Sequence, residues 1–240
     1  MKQISVFIFF LITNFVFSQS DSLIYKNSHG ISIYKSKTIY KGKEIFNSKN
    51  DEAQFLKDNE EVDNCSVVVD IYRNPLSLID NYFSYEYYFG SEAACGKYGN
   101  DTKVETIDLK TFEKVNLSDL FTEKSIVRAL KNDSWVLRTF TEMSLVKELD
   151  SVNSFNKMLE LLNDIEYDVR FHKQGFVVVD NKMKDGKIGV RFVGSQPISV
   201  SYHRKHLQLG LMLVPKSDFK DKLLNKTEFV LGQFRNGLTN

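Results

Sequence analysis

The 240-residue chain is 42% hydrophobic and 26% charged, with Lys+Arg 32 against Asp+Glu 31, a composition that excludes the charge-rich, core-poor class of disordered chains. A formal charge of +1 gives no bulk pull toward nucleic acid or anionic lipid. With Gly 12 and Pro 3, collagen-like and Pro-rich chains are excluded as well.

Residues 1–18 set Lys2 before an apolar run from Val6 to Ile12, which resumes at Phe15, Val16 and Phe17 and gives way to Ser18, Gln19 and Ser20. This is the pattern of a secretory signal peptide, with cleavage expected near Ser18 or Gln19. Thr13 and Asn14 interrupt the run short of the about 20 apolar residues that a spanning helix requires, so no membrane span is expected after cleavage. Removal of Lys2 from the 32 basic residues balances the 31 acidic ones. The expected location is periplasmic or secreted. Residues 19–62 are expected to hold N-terminal strands and a polar loop, and residues 63–240 a single α+β domain.

In chain order, residues 31–34 and 37–40 alternate apolar and polar positions as short half-solvated strands do, and the polar stretch 47–63 reads as a loop or a short surface helix. Residues 66–73 and 82–89 are rich in β-branched and aromatic side chains and are separated by Asn74-Pro75 and Asp80-Asn81, the signature of a hairpin. Cys65 opens the first strand and Cys95 follows the second. In an oxidising compartment an even cysteine count points to a bridge, and antiparallel pairing brings these two positions together, so a Cys65–Cys95 disulfide is expected. The chain has no CxxC motif, and neither cysteine has a sequence-near histidine, which weighs against redox or nucleophilic chemistry.

Residues 95–101 collect turn formers, and 103–109 alternate again as a strand. From Ser118 the apolar residues recur at helical spacing through Leu162, with Ser118, Ser134 and Ser151 as expected N-caps. Strands are expected at 167–172, 176–179, 188–193, 198–202 and 207–214, with tight turns at Gln174-Gly175 and Asp185-Gly186. Pro215 closes the last strand, and Ser217 is positioned to cap a helix carrying Phe219, Leu223 and Leu224. Strands, a central helical block, more strands and a C-terminal helix predict an α+β fold with a largely antiparallel sheet.

The segment Ser84-Tyr-Glu-Tyr-Tyr-Phe-Gly-Ser-Glu-Ala-Ala-Cys-Gly96, then Ile107-Asp-Leu-Lys-Thr-Phe-Glu-Lys114, then Leu117-Ser-Asp-Leu-Phe121 resembles the extracytoplasmic domain shared by lysozyme-sensing anti-sigma factors and the accessory N-terminal region of peptidoglycan deacetylases. The closing strands and helix, from Phe176 through Phe219, are similar too. The chain departs from the family pattern at Cys95, where histidine is frequent, and at Phe112, where the hairpin glycine is usual. No esterase metal-binding motif accompanies the domain. The resemblance therefore implies a non-catalytic binding module for a protein or cell-wall glycan ligand.

Residue chemistry adds little to that implication. His203 and His206 form a His-x-x-His that reads as a solvated basic turn rather than a metal site. His29 and His172 are isolated, and Glu166, Asp168, Asp180 and Asp185 cannot be paired from sequence for glycoside chemistry. No cofactor, metal or nucleic-acid partner is expected. The aromatic strand is more informative. Alternation puts Phe83, Tyr85, Tyr87 and Phe89 on one face, expected to be core, and Tyr82, Ser84, Glu86 and Tyr88 on the other. Tyr82, Glu86 and Tyr88 are the candidate ligand-binding strip, able to stack on sugars or anchor an interface, unless the middle helices cover that face. The alternative functions are a small secreted hydrolase acting on envelope material and a purely structural envelope protein.

Overall fold

A computed structural model describes residues 21–58, 67–93, 98–164, 170–195, 206–233 and 237–239. The expected signal peptide, Cys65, Cys95, Glu166, Asp168, His203 and the strand expected at 198–202 lie outside the described residues. The chain is α+β.

Strands β1 (Leu23–Lys26), β2 (Ile31–Tyr34), β3 (Lys37–Tyr40) and β4 (Lys43–Asn47) form an antiparallel meander in chain order, followed by helix α1 (Ser48–Asp58). Strands β5 (Val67–Ile79), β6 (Tyr82–Ala93) and β7 (Tyr98–Asp108) come next, then helices α2 (Leu117–Leu120), α3 (Glu123–Lys131), α4 (Ser134–Glu142), α5 (Val146–Ser151) and α6 (Phe155–Asp164). Strands β8 (Arg170–Val178), β9 (Ile188–Ser195) and β10 (His206–Leu213) precede helix α7 (Ser217–Asn225) and the short strands β11 (Thr227–Val230) and β12 (Gly237–Thr239). The central sheet has the order β11-β5-β6-β7 and the C-terminal sheet the order β12-β10-β9-β8, and among the described residues every ladder in them is antiparallel.

Side-chain parity stacks these units into layers. Leu207, Leu209, Leu211 and Leu213 of β10 join Val190 and Phe192 of β9 and Phe176 and Val178 of β8 on one face, buried beneath α3 to α7. The opposite face of that sheet meets the central sheet through Val177 and Val193 against Val104 and Leu76. The far face of the central sheet, with Leu78, Phe83, Tyr85, Ile107 and Leu109, packs on Ile31 and Ile33 of the N-terminal meander. Burying each of these large apolar side chains contributes roughly 1.5–3 kcal/mol.

Local signals shift in four places. β5 runs straight through Asn74-Pro75 instead of turning there, with a register irregularity between Pro75 and Ser77. Proline is tolerated because β11 covers β5 only from Ser77 to Ile79, leaving Pro75 on an open edge. β7 extends back to Tyr98, since pairing with β6 from Glu92 outward overrides the turn-forming composition of Gly99-Asn100-Asp101. The helix caps are the residues ahead of the expected serines. Asp133 Oδ1 accepts from the amides of Trp135 (2.8 Å) and Val136 (3.1 Å). The Asn116 amide donates to Asp119 Oδ2 at 2.7 Å, Lys216 precedes α7, and Ser151 ends α5 rather than opening a helix. Fourth, Gln174-Gly175 is an irregularity inside the continuous strand β8, between Arg170 and Gly175. Asp185-Gly186, in contrast, is a true tight turn, with φ of 51° and 71°.

Gly175 is where the two large sheets touch backbone to backbone. A Cβ on Gly175 would lie 1.5 Å from the carbonyl oxygen of Val104 and 2.6 Å from its carbonyl carbon, whereas one on Gly186 would meet nothing within 4 Å. Gly175→Ala is expected to destabilise by at least about 2 kcal/mol, because main chain on both sides must move. Gly186→Ala should cost only about 1 kcal/mol, the backbone penalty of a positive φ. Urea unfolding midpoints separate the two variants, and equal small losses would show that the sheets are not in contact there.

Candidate ligand-binding face

The face of the central sheet that carries Glu86 and Tyr88 is assembled by the β5–β6 register, in which Tyr72 pairs with Tyr88, Asn74 with Glu86 and Asp70 with Gly90. Tyr72 and Tyr88 are stacked, with ring centroids 4.6 Å apart and planes inclined by 20°. Tyr88 reclines along its own strand. A Cβ on Gly90 would lie 2.7 Å from the Tyr88 hydroxyl oxygen and 3.1 Å from two of its ring carbons, so the absence of a side chain at Gly90 is what admits the ring. Asp70 and Asn74 are exposed on β5, and Tyr72, Glu86 and Tyr88 are half-buried. Burial, followed by the charges of Tyr88, Asp70 and Glu86, raises the pKa of the Tyr72 phenol, which therefore stays a neutral donor.

From the facing sheet, Arg191 of β9 sets its guanidinium Nη2 3.8 Å from Glu86 Oε2, with the arginine side chain 3% exposed and the glutamate 27%. The arrangement provides a stacked tyrosine pair, each ring covering one face of the other, edged by the carboxylates of Asp70 and Glu86. Such a surface can take the C–H face of a sugar ring or an apolar side chain, with hydroxyl or amine donors directed to the carboxylates.

The three residues expected from sequence are not brought together. Glu86 and Tyr88 lie on this face beside each other's partners. Tyr82 lies at the turn end of β6, where its ring meets Phe219 of α7 edge-on at 5.5 Å and its hydroxyl accepts from Lys222 Nζ at 3.4 Å. Between them Ser84 is buried, sharing a 2.8 Å hydrogen bond with Thr106. Tyr82 thus packs with the helical core. At Tyr82 the covering element is α7, and beyond it the face meets the C-terminal sheet. Sequence reasoning missed Tyr72 and Arg191. The first follows from the strand register, and the second depends on how two sheets pack.

Other expected candidates have local explanations. His29 Nδ1 is 2.6 Å from Glu228 Oε1, and Glu228 Oε2 also accepts from the Tyr25 hydroxyl at 2.9 Å. Burial and then this hydrogen bond push the Tyr25 phenol up to about 12. These groups tie the N-terminal meander to β11. Asp180 accepts from the Lys182 amide at 3.1 Å, and Asp185 sits in its turn. His172 and His206 fall within β8 and β10, but their side chains lie outside the description. Among the described residues there is no group of three or more side chains able to hold a metal ion, and no helix is long and apolar enough to cross a membrane. No protein-family model matches the chain, and no curated protein matches it.

Gly90→Ala tests the stacked pair directly. The new methyl meets only the far end of the Tyr88 side chain, so stability should change by less than about 1 kcal/mol while the ring is displaced from Tyr72. Aromatic proton resonances of both tyrosines should shift in the variant. Unchanged ring resonances would refute the stacked geometry.

Proposed function

We propose that the chain is an exported, non-catalytic binding module that engages a protein or peptidoglycan-type ligand on the Tyr72–Tyr88 face. The stacked, half-buried pair, edged by Asp70 and Glu86, is the observation that carries this reading. The resemblance of residues 84–121 to lysozyme-sensor and deacetylase accessory domains supports it, as does the signal-like pattern of residues 1–18. Aromatic side chains held rigid on a strand pair lose little conformational freedom when a ligand covers them, which favours affinity.

The disulfide belongs to the same reading. Val67 faces Ala93 in the β5–β6 ladder, and a ladder continued two residues outward in that register would set Cys65 opposite Cys95. Closing a loop of about thirty residues stabilises by about 3 to 4 kcal/mol in the chain-entropy model. Intact-mass measurement of native protein, with and without reduction before thiol alkylation, is expected to show both sulfurs protected until reduction. Two alkylated cysteines in unreduced material would remove the disulfide.

Binding is measured by retention of the purified mature protein on insoluble peptidoglycan and on immobilised lysozyme. Retention by one of them is expected, weakened about tenfold or more by Tyr72→Ala or Tyr88→Ala, as for an aromatic anchor. Tyr82→Phe, which leaves the packing against Phe219 in place, should bind as wild type. Retention by neither matrix would overturn the binding reading, and release of shortened glycan or peptide products would replace it with hydrolysis.

A further inference from the structure

A groove of about 700 Å³ runs between α3 and β10 and shares no residue with the Tyr72–Tyr88 face. Its volume lies in the range of small-molecule sites. Lys124 and Arg128, one turn apart on α3, form one side, Lys187 beside the start of β9 contributes from another, and Ala129, Leu211 and Met212 give it an apolar lining. Lys124 and Arg128 are exposed and Lys187 is half-buried.

Charge is unbalanced in this groove. The lining contains three cations and one carboxylate, Asp133, and Asp133 Oδ1 is already occupied by the amides of Trp135 and Val136. Among the described residues the side chains of Lys124, Arg128 and Lys187 make no ion pair, whereas Arg73, Lys103, Lys222 and Lys226 each face a carboxylate. Gathering three like charges around one concavity raises the local potential. Thr122 and Ser134 add hydroxyls to the lining.

We propose that this groove binds a small organic anion whose phosphate or carboxylate head meets Lys124, Arg128 and Lys187 while an apolar body rests on Ala129 and Met212. Three cations in a cleft of this size suit a single head group rather than the extended phosphate track of a nucleic acid.

The test titrates the full mature chain with phenyl phosphate, benzoate and neutral benzyl alcohol at low ionic strength, following backbone amide resonances. Saturable shifts centred on Lys124, Arg128, Ala129 and Met212 are expected with at least one anion and not with the alcohol. Response to both anions supports recognition of the shared head-group chemistry, response to phenyl phosphate alone identifies a phosphate ester, and response to benzoate alone identifies a carboxylate. Arg128→Ala and Lys187→Ala should each weaken binding about tenfold, the size expected for loss of a charge-assisted hydrogen bond. The proposal is overturned by the absence of saturable shifts from either anion up to about 10 mM, a ceiling that corresponds to very weak binding. Equal binding of the alcohol, or unchanged affinity in both folded variants, would overturn it as well.

Discussion

The contact between β7 and β8 is the constraint around which the other layers are arranged. At Gly175 the backbone of β8 lies so near the Val104 carbonyl that no side chain fits between them. The Thr106 hydroxyl beside it donates to the Phe176 carbonyl at 2.7 Å, and Lys114 Nζ donates to the Gln174 carbonyl at 2.8 Å. A buried hydroxyl bonded across two sheets is a directional restraint, and losing either partner would leave a polar group unsatisfied. With β8 fixed there, strand alternation sends Phe176 and Val178 into the helical core and Val177 toward Val104. The same placement brings Arg191 of β9 opposite Glu86.

The end of the chain reinforces that junction. β11 pairs with β5 in the central sheet, and β12 pairs with β10 in the C-terminal sheet, so a short final segment bridges two layers. The Leu231 amide donates to the Leu76 carbonyl at 2.7 Å, at the irregularity in β5. A Cβ on Gly232 would be 3.0 Å from a Val179 methyl, so this strap lies close over β8's end. The arrangement covers an edge of β5 just beyond Pro75, where an unpaired ladder would otherwise be open to another strand.

Fold class and most elements were legible because they follow from period. Alternation at residues 31–34 and helical recurrence from residue 118 need no knowledge of the partner. Punctuation was less reliable, since Pro75 and Gly175 are turn signals when taken locally yet serve an open strand edge and a close sheet contact, both long-range facts. The caps moved by a residue or more because the Asp133 side chain, directly ahead of α4, accepts the first-turn amides, and because at α2 the Asp119 carboxylate reaches back to the Asn116 amide. At the candidate site the parity of β6 was readable, so Glu86 and Tyr88 fall on one face. Tyr72 was within reach, since aligning Cys65 with Cys95 sets 72 against 88. Arg191 was not, because nothing in one sequence states which strand lies across from Glu86. Tyr82 shares that parity but meets Phe219, a residue far along the chain, which alternation alone cannot foresee.

The two faces of β6 are held by different contacts. Behind the tyrosine pair, the Arg73 guanidinium lies 4.4 Å from the Phe46 ring centroid and 5.1 Å from that of Tyr87, and it is ion-paired with Asp51 of α1. Phe55 of the same helix packs on Phe89 at 4.9 Å. Burial pushes the Glu105 carboxyl up, but hydrogen bonds from Tyr85 and Lys103 outweigh it and hold the group below the usual carboxylate range, so Glu105 stays ionised and keeps its 2.6 Å bond from the Tyr85 hydroxyl. These cation–π, ionic and charge-assisted contacts fix residues 73, 85, 87 and 89 from behind. Tyr72 and Tyr88 are their immediate neighbours along the two strands, and the pleat passes that restraint to the opposite face. An aromatic pair built this way has already lost its rotamer freedom during folding, so covering it would cost little further conformational entropy.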